Sequence, residues 1–212
     1  MILTRRSALA AASGVAAFAV GGPSRIAPAR AQTTAPDPEE GRKAERSLGD
    51  PAAKVTVQEF FSLTCTHCAA FARTTMVDIE KDLIEPGKVR FVFHDFPLDQ
   101  VALSAAVVAR SLPPAQYYPF VKALFATQDR WAFARNANST EEIWKLAALA
   151  GMNRATFDKA LADTNLRDWI LQQQQADRDK WQIDSTPSFV INGQKYAGEM
   201  NYEAFRKLLP QV

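Results

Sequence analysis

Two cysteines, Cys65 and Cys68, stand three residues apart behind an apolar strand-like run, Val55 to Phe61, and ahead of a helical pattern. They are the only cysteines in 212 residues. Strand, C-x-x-C, helix is a narrow arrangement: it asks for a sheet with a helix folded back on it and sets two sulfurs at the join. At a helix start such thiols lie one turn apart on nearly one face, within the Cα span that a disulfide bridges. As a staple the bond is weak, because so short a loop removes only about 2 kcal/mol of unfolded-chain entropy, less any strain. A bond that stabilises so little suits being made and broken.

Around this motif the chain reads β-α-β, then a block of helices, then β-β-α. Asp50-Pro51 turns into a strand over Lys54–Phe61, a helix runs from Cys65 to Leu83 and stops at Pro86-Gly87, and Lys88–Phe96 alternates as a second strand. Val101–Leu112, Tyr117–Thr127, Glu141–Ala150, a segment after Asn153, and Leu166–Trp181 carry helical patterns. Ser139-Thr140-Glu141-Glu142 reads as a capping box with Gly151 as the stop. That cap also accounts for the glycosylation-like triplet Asn138-Ser139-Thr140. Phe189–Ile191, the Asn192-Gly193 turn and Gln194–Ala197 predict a hairpin, and Asn201–Leu209 a closing helix. The boundaries that follow are 1–31 leader, 32–50 linker, 51–99 first part of an α/β domain, 100–182 helical insertion, and 183–212 the domain's second part.

Charge sharpens the leader. Residues 1–31 hold Arg5, Arg6, Arg25 and Arg30 and no acid, so the net +2 of the whole chain becomes 21 basic against 23 acidic residues once they are set aside. A mature chain near −2 offers no basic surface for nucleic acid or anionic membrane. Ala8–Val20 is apolar but too short to span a bilayer, and Ala29-Arg30-Ala31 fits a small-x-small cleavage site. Thr4-Arg5-Arg6-Ser7-Ala8-Leu9 resembles a twin-arginine signal, although Ala8 replaces the usual Phe; the general secretory route is the alternative. We expect export to the periplasm with cleavage after Ala31 and no stable membrane insertion afterwards. That space is oxidising, so disulfides persist there.

Three segments carry a family resemblance: Glu59-Phe60-Phe61-Ser62 leading into Cys65-Thr66-His67-Cys68, then Phe93-His94-Asp95-Phe96-Pro97-Leu98, and then Ser185-Thr186-Pro187-Ser188-Phe189-Val190-Ile191-Asn192-Gly193. Over roughly residues 48–210 the chain resembles periplasmic thiol–disulfide oxidoreductases of the DsbA type. The resemblance implies an α/β, thioredoxin-like fold with an inserted all-helical subdomain. The motif has Thr66 where many relatives have Pro.

Residue chemistry assigns roles within this frame. Cys65, at the start of the helix, faces the positive end of the macrodipole and unpaired N–H groups, which favour thiolate; His67 adds positive charge beside it. Cys65 is therefore the expected nucleophile and Cys68 the resolving thiol. Glu59 shares a strand face with Val55, Val57 and Phe61, so burial should raise its pKa and fit it to relay protons to Cys68. The family places a buried acid at this offset. The resemblance also implies a cis Pro187, with Thr186 offering its backbone to an extended substrate segment as an added strand. His67 and His94 are the only histidines, and their spacing does not make a Cys2His2 metal site; His94 reads as structural. Tyr117, Tyr118, Phe120, Phe125, Trp131 and Phe133 read mostly as helical core.

The leading expectation is an oxidase that donates its Cys65–Cys68 disulfide to unfolded or reduced exported proteins through a mixed disulfide. It needs no cofactor besides that disulfide. With no second cysteine pair, it depends on an external oxidant, which the resemblance makes a DsbB-like membrane partner. An isomerase or reductase on the same fold, a peptide-binding holdase and a metal chaperone are the competing readings.

Overall fold

The computed structural model describes residues 38–136 and 138–210. The leader expected over 1–31 lies outside the described residues, as does the beginning of the 32–50 segment. From Pro38 onward that segment is no linker. It forms helix α1 (Pro38–Lys43) and strand β1 (Arg46–Leu48). Three residues are too few for alternation to show, and the strand carries a buried arginine. Arg46 is held inside by the Gly41 carbonyl at 3.0 Å and by the ring of Tyr117, 5.4 Å from its guanidinium carbon.

Strand β2 (Val55–Phe61) runs through the middle of a five-stranded sheet ordered β1-β3-β2-β4-β5. It pairs in parallel with β3 (Val89–Asp95) and antiparallel with β4 (Ser188–Ile191). β1 pairs antiparallel with β3 at Arg46↔Phe93, and β5 (Gln194–Ala197) closes the other edge. The β4–β5 turn places Asn192 and Gly193 at φ of 50° and 82°, the left-handed pair a tight hairpin needs.

The β2–β3 crossover begins with α2 (Thr66–Arg73), but the helix expected to run to Leu83 breaks. Thr74 leaves helical geometry (φ −120°, ψ −81°), and α3 (Thr75–Ile79) and a π turn (Glu80–Ile84) follow. The hydroxyls explain the break: Thr74 Oγ1 donates back to the Ala70 carbonyl at 2.8 Å, and Thr75 Oγ1 to the Met200 carbonyl at 2.7 Å. Between β3 and β4 the chain is helical: α4 (Gln100–Ser111), α5 (Pro114–Ala126), α6 (Gln128–Trp131), α7 (Ser139–Leu149), α8 (Arg154–Leu161) and α9 (Thr164–Trp181). α10 (Tyr202–Leu208) ends the described chain. Asp99, Asn153, Asp163 and Asn201 cap their helices as acceptors. At α7 the cap is Asn138, not Ser139, because the Asn138 carboxamide oxygen reaches the N–H groups of Thr140 and Glu141 at 3.0 and 3.3 Å. No helix among the described residues is long and apolar enough to cross a membrane.

Aromatic rings fill both sheet faces. Phe71, Phe189 and Phe205 pack together on one, and Phe60, Phe96, Ile183 and Val190 on the other. Of the aromatics expected in the helical core, Tyr117, Phe120, Phe125 and Trp131 are buried; Phe133 is 52% exposed, having fallen past the end of α6.

Candidate active site

The redox motif sits where β2 ends. The Cys65 N–H donates to the Ser62 carbonyl at 3.0 Å, closing a turn over Leu63 and Thr64. Cys65 takes extended backbone angles and caps α2 with its own sulfur, which accepts the Cys68 N–H at 3.3 Å. On the opposite side Sγ lies 3.3 Å from the Thr186 carbonyl, the acceptor for the protonated thiol. The two sulfurs are free thiols. Cys65 keeps 8% of its surface exposed and Cys68 none, so attack from outside reaches Cys65 first.

The environments push the two thiols apart. Cys65 is lowered from 9.0 to about 5, first by the hydrogen bond from the Cys68 thiol and, against some burial cost, by the Thr186 hydroxyl and the N–H groups of Cys68 and His67. The Thr186 Oγ1 is buried and makes no hydrogen bond of its own. Cys68 is raised well above the ordinary thiol value, first by burial, then by donating to Cys65 and by the nearby charges of Glu59 and Cys65. Glu59 is 4% exposed, its Oε1 has no hydrogen-bond partner, and burial followed by the Cys65 charge pushes its carboxyl up to about 8.

Of the residues singled out by sequence, Cys65, Cys68, Glu59 and Thr186 meet around one point. The Thr186–Pro187 peptide is cis and Pro187 is buried. His67 differs from expectation. Its imidazole is 70% exposed and lies 3.2 Å from Glu199 Oε2, and the contribution it makes to the Cys65 thiolate is its backbone N–H. Two residues past the cap, its side chain is turned to solvent. His94 is removed from the thiols: Nδ1 pairs with Asp177 Oδ2 at 2.9 Å and the ring packs 4.5 Å from Phe60. A cavity of about 220 Å³ beside it, lined by Phe93, Trp169 and Asp177 among others, touches neither thiol.

Two residues near the turn escaped sequence reading. Gln128 donates from α6 to the carbonyls of Leu63 and Cys65, and Asp99 accepts the Thr64 hydroxyl at 2.6 Å. Asp99 was detectable as a helix cap; nothing local marks Gln128.

A family model described as Thioredoxin matches residues 42–211. A double-cysteine variant of alpha-DsbA1 from Wolbachia pipientis superimposes with a TM-score of 0.72 at 30% identity, covering 77% of this chain and 88% of that one.

The chain belongs to the thioredoxin family, in its DsbA branch.

Within the DsbA branch, it is 26% identical over 179 residues to disulfide bond formation protein D of Bacillus subtilis, covering 79% of this chain and 76% of that protein. It is 26% identical over 151 residues to the thiol:disulfide interchange protein DsbA of Bordetella parapertussis, covering 68% and 66%. The chain spans about half the length of the Rickettsia relatives it also matches, 52% in Rickettsia felis. Among DsbA-branch proteins the helical block between β3 and β4 is thus an insertion into the thioredoxin-like fold.

Proposed function

We propose that this DsbA-branch protein is a thiol–disulfide oxidase of exported proteins. A substrate thiolate attacks Cys65 Sγ in the oxidised pair. The Cys65–Cys68 bond breaks, a mixed disulfide forms, and Cys68 leaves with the bonding electrons. A thiol raised as far as Cys68 leaves poorly unless it receives a proton, and Glu59, protonated at neutral pH, is the donor at hand. The substrate's second thiolate then attacks its own sulfur in the mixed disulfide. Cys65 departs as a stable thiolate, so two electrons have passed from substrate to enzyme. The residue before Pro187 would meet an extended substrate segment through its backbone.

What carries this reading is the separation of the two thiols, with Cys65 lowered towards thiolate and keeping 8% of its surface open, and Cys68 sealed and raised. Stabilising the thiolate stabilises the reduced protein, which makes the disulfide a willing donor. An isomerase or reductase would need a weaker bias. The dithiol itself is the redox group, and no further cofactor enters the scheme. Reoxidation then falls to an external oxidant, a quinone-linked membrane protein of the DsbB kind. The leader-like residues 1–31 fit a periplasmic site of action.

Equilibration with glutathione and turnover of a reduced, unfolded protein test the proposal. We expect a potential well above the thioredoxin value of about −270 mV, and catalytic oxidation that Cys65→Ser abolishes. Cys68→Ser, which has no disulfide to donate, should also lose oxidation. Given oxidised glutathione as the oxidant, it should hold Cys65 as a mixed disulfide, with reduced glutathione released as the leaving thiol. A potential at or below thioredoxin's would overturn the oxidase assignment.

A further inference from the structure

Helix α6 is four residues long, yet it sends one side chain into the redox turn. Gln128 is 3% exposed, and its Nε2 donates to the Leu63 carbonyl at 2.7 Å and to the Cys65 carbonyl at 3.0 Å. Both amide protons are thereby used on carbonyls that flank Thr64, inside the turn closed by the Cys65 N–H. The Cys65 carbonyl also receives the first helical bond of α2, from the Ala69 N–H at 3.1 Å. α6 has a second, separate tie: the buried Trp131 donates its indole N–H to the Leu124 carbonyl of α5 at 2.8 Å.

The sulfur depends on this geometry. Its contacts with the Cys68 N–H and the Thr186 carbonyl are both 3.3 Å. Both turn on the torsions of residue 65, so a small rotation of the turn lengthens them, and loss of the Cys68 N–H weakens the thiolate's support.

We propose that Gln128 is a positioning residue of the redox centre, holding the Leu63 and Cys65 carbonyls so that Cys65 Sγ stays aimed at the Cys68 N–H and at Thr186. The insertion would then set the reactivity of a thiol that belongs to the α/β domain. An amide suits the post and a carboxylate does not: Glu at this position would set acceptor oxygens against carbonyl acceptors unless it stayed protonated. The inference rests on the reading of Cys65 as a stabilised thiolate.

The test compares wild type, Gln128→Met, Gln128→Glu and Trp131→Phe as reduced full-length proteins. Melting temperature and the pH dependence of Cys65 alkylation are measured for each. Gln128→Met keeps the volume and loses both bonds, while Trp131→Phe loosens α6 and keeps Gln128. We expect Gln128→Met to move the alkylation midpoint upward by about half a unit, a roughly threefold loss of thiolate at acid pH, and Gln128→Glu to move it further. Trp131→Phe should lower the melting temperature and leave the midpoint in place. An unmoved midpoint in a folded Gln128→Met, or an equal shift in Trp131→Phe, overturns the proposal. A wild-type midpoint at the value of an ordinary thiol would instead strike at the oxidase reading itself.

Discussion

Glu59 is a carboxyl placed where water cannot reach one of its oxygens. In the folded chain it titrates near 8 rather than 4.5, chiefly through burial. Between those values the folded protein keeps a proton that the unfolded chain has released. The stability linked to this group is therefore full below about pH 4.5 and is lost as pH rises towards 8. Glu59→Gln stays neutral throughout. We expect it to melt with wild type near pH 4.5 and a few degrees above it at pH 8.5, measured by circular dichroism. The same substitution removes the proton carried to Cys68, so stopped-flow rates of disulfide donation should fall at neutral pH and lose their inflection near 8. Glu59 was legible from sequence because period-two alternation puts it on an apolar face. The neighbours of His67 were not. Its neighbour Glu199 comes from the β5–α10 connection, and no local pattern links the two.

At the scale of elements, one arginine joins pieces that the sequence keeps apart. Arg110, at the end of α4, donates Nε to Asp95 at the end of β3, and Nη1 to the carbonyls of Arg42 and Ala44 at 3.1 Å. Its guanidinium carbon lies 4.7 Å from the Trp169 ring of α9, and Tyr117 of α5 donates to Asp95 at 2.9 Å. Removing one partner of such a buried pair strands the other charge. Asp95→Ala should cost about 3–5 kcal/mol by urea unfolding, whereas the double change Asp95→Leu with Arg110→Met should cost clearly less. The elements read correctly from sequence were those with their own periodicity and caps, such as β2, α8 and the β4–β5 hairpin. β1 went unread because a three-residue strand exists only through its pairing with β3. The break at Thr74 went unread because its hydroxyl's choice of acceptor is made by the folded helix.

Across the whole molecule, redox state and stability are coupled. The Cys65 thiol titrates near 5 in the folded reduced chain against 9.0 ordinarily. Its contribution to stability is complete above about pH 9 and drains away as pH falls through 5. Partial access to solvent reduces its size. The oxidised chain has no thiolate and gains little from so short a disulfide loop. Calorimetry should find the reduced form melting higher than the oxidised form at pH 7.5, with the gap closing towards pH 5. A gap that ignores pH would contradict the stabilised thiolate. Sequence alone determined the location of the reactive pair and the order of the elements from β2 onward, because these follow from spacing, alternation and capping within a few residues; the thioredoxin-like class came from the resemblance that three segments carry. The folded structure decided how the tuning groups reach the pair, and it added Gln128 to them. Thr186, Gln128 and Glu59 approach Cys65 and Cys68 from β4's leading loop, the helical insertion and β2, and contacts between such distant segments depend on how helices cross the sheet rather than on any local pattern.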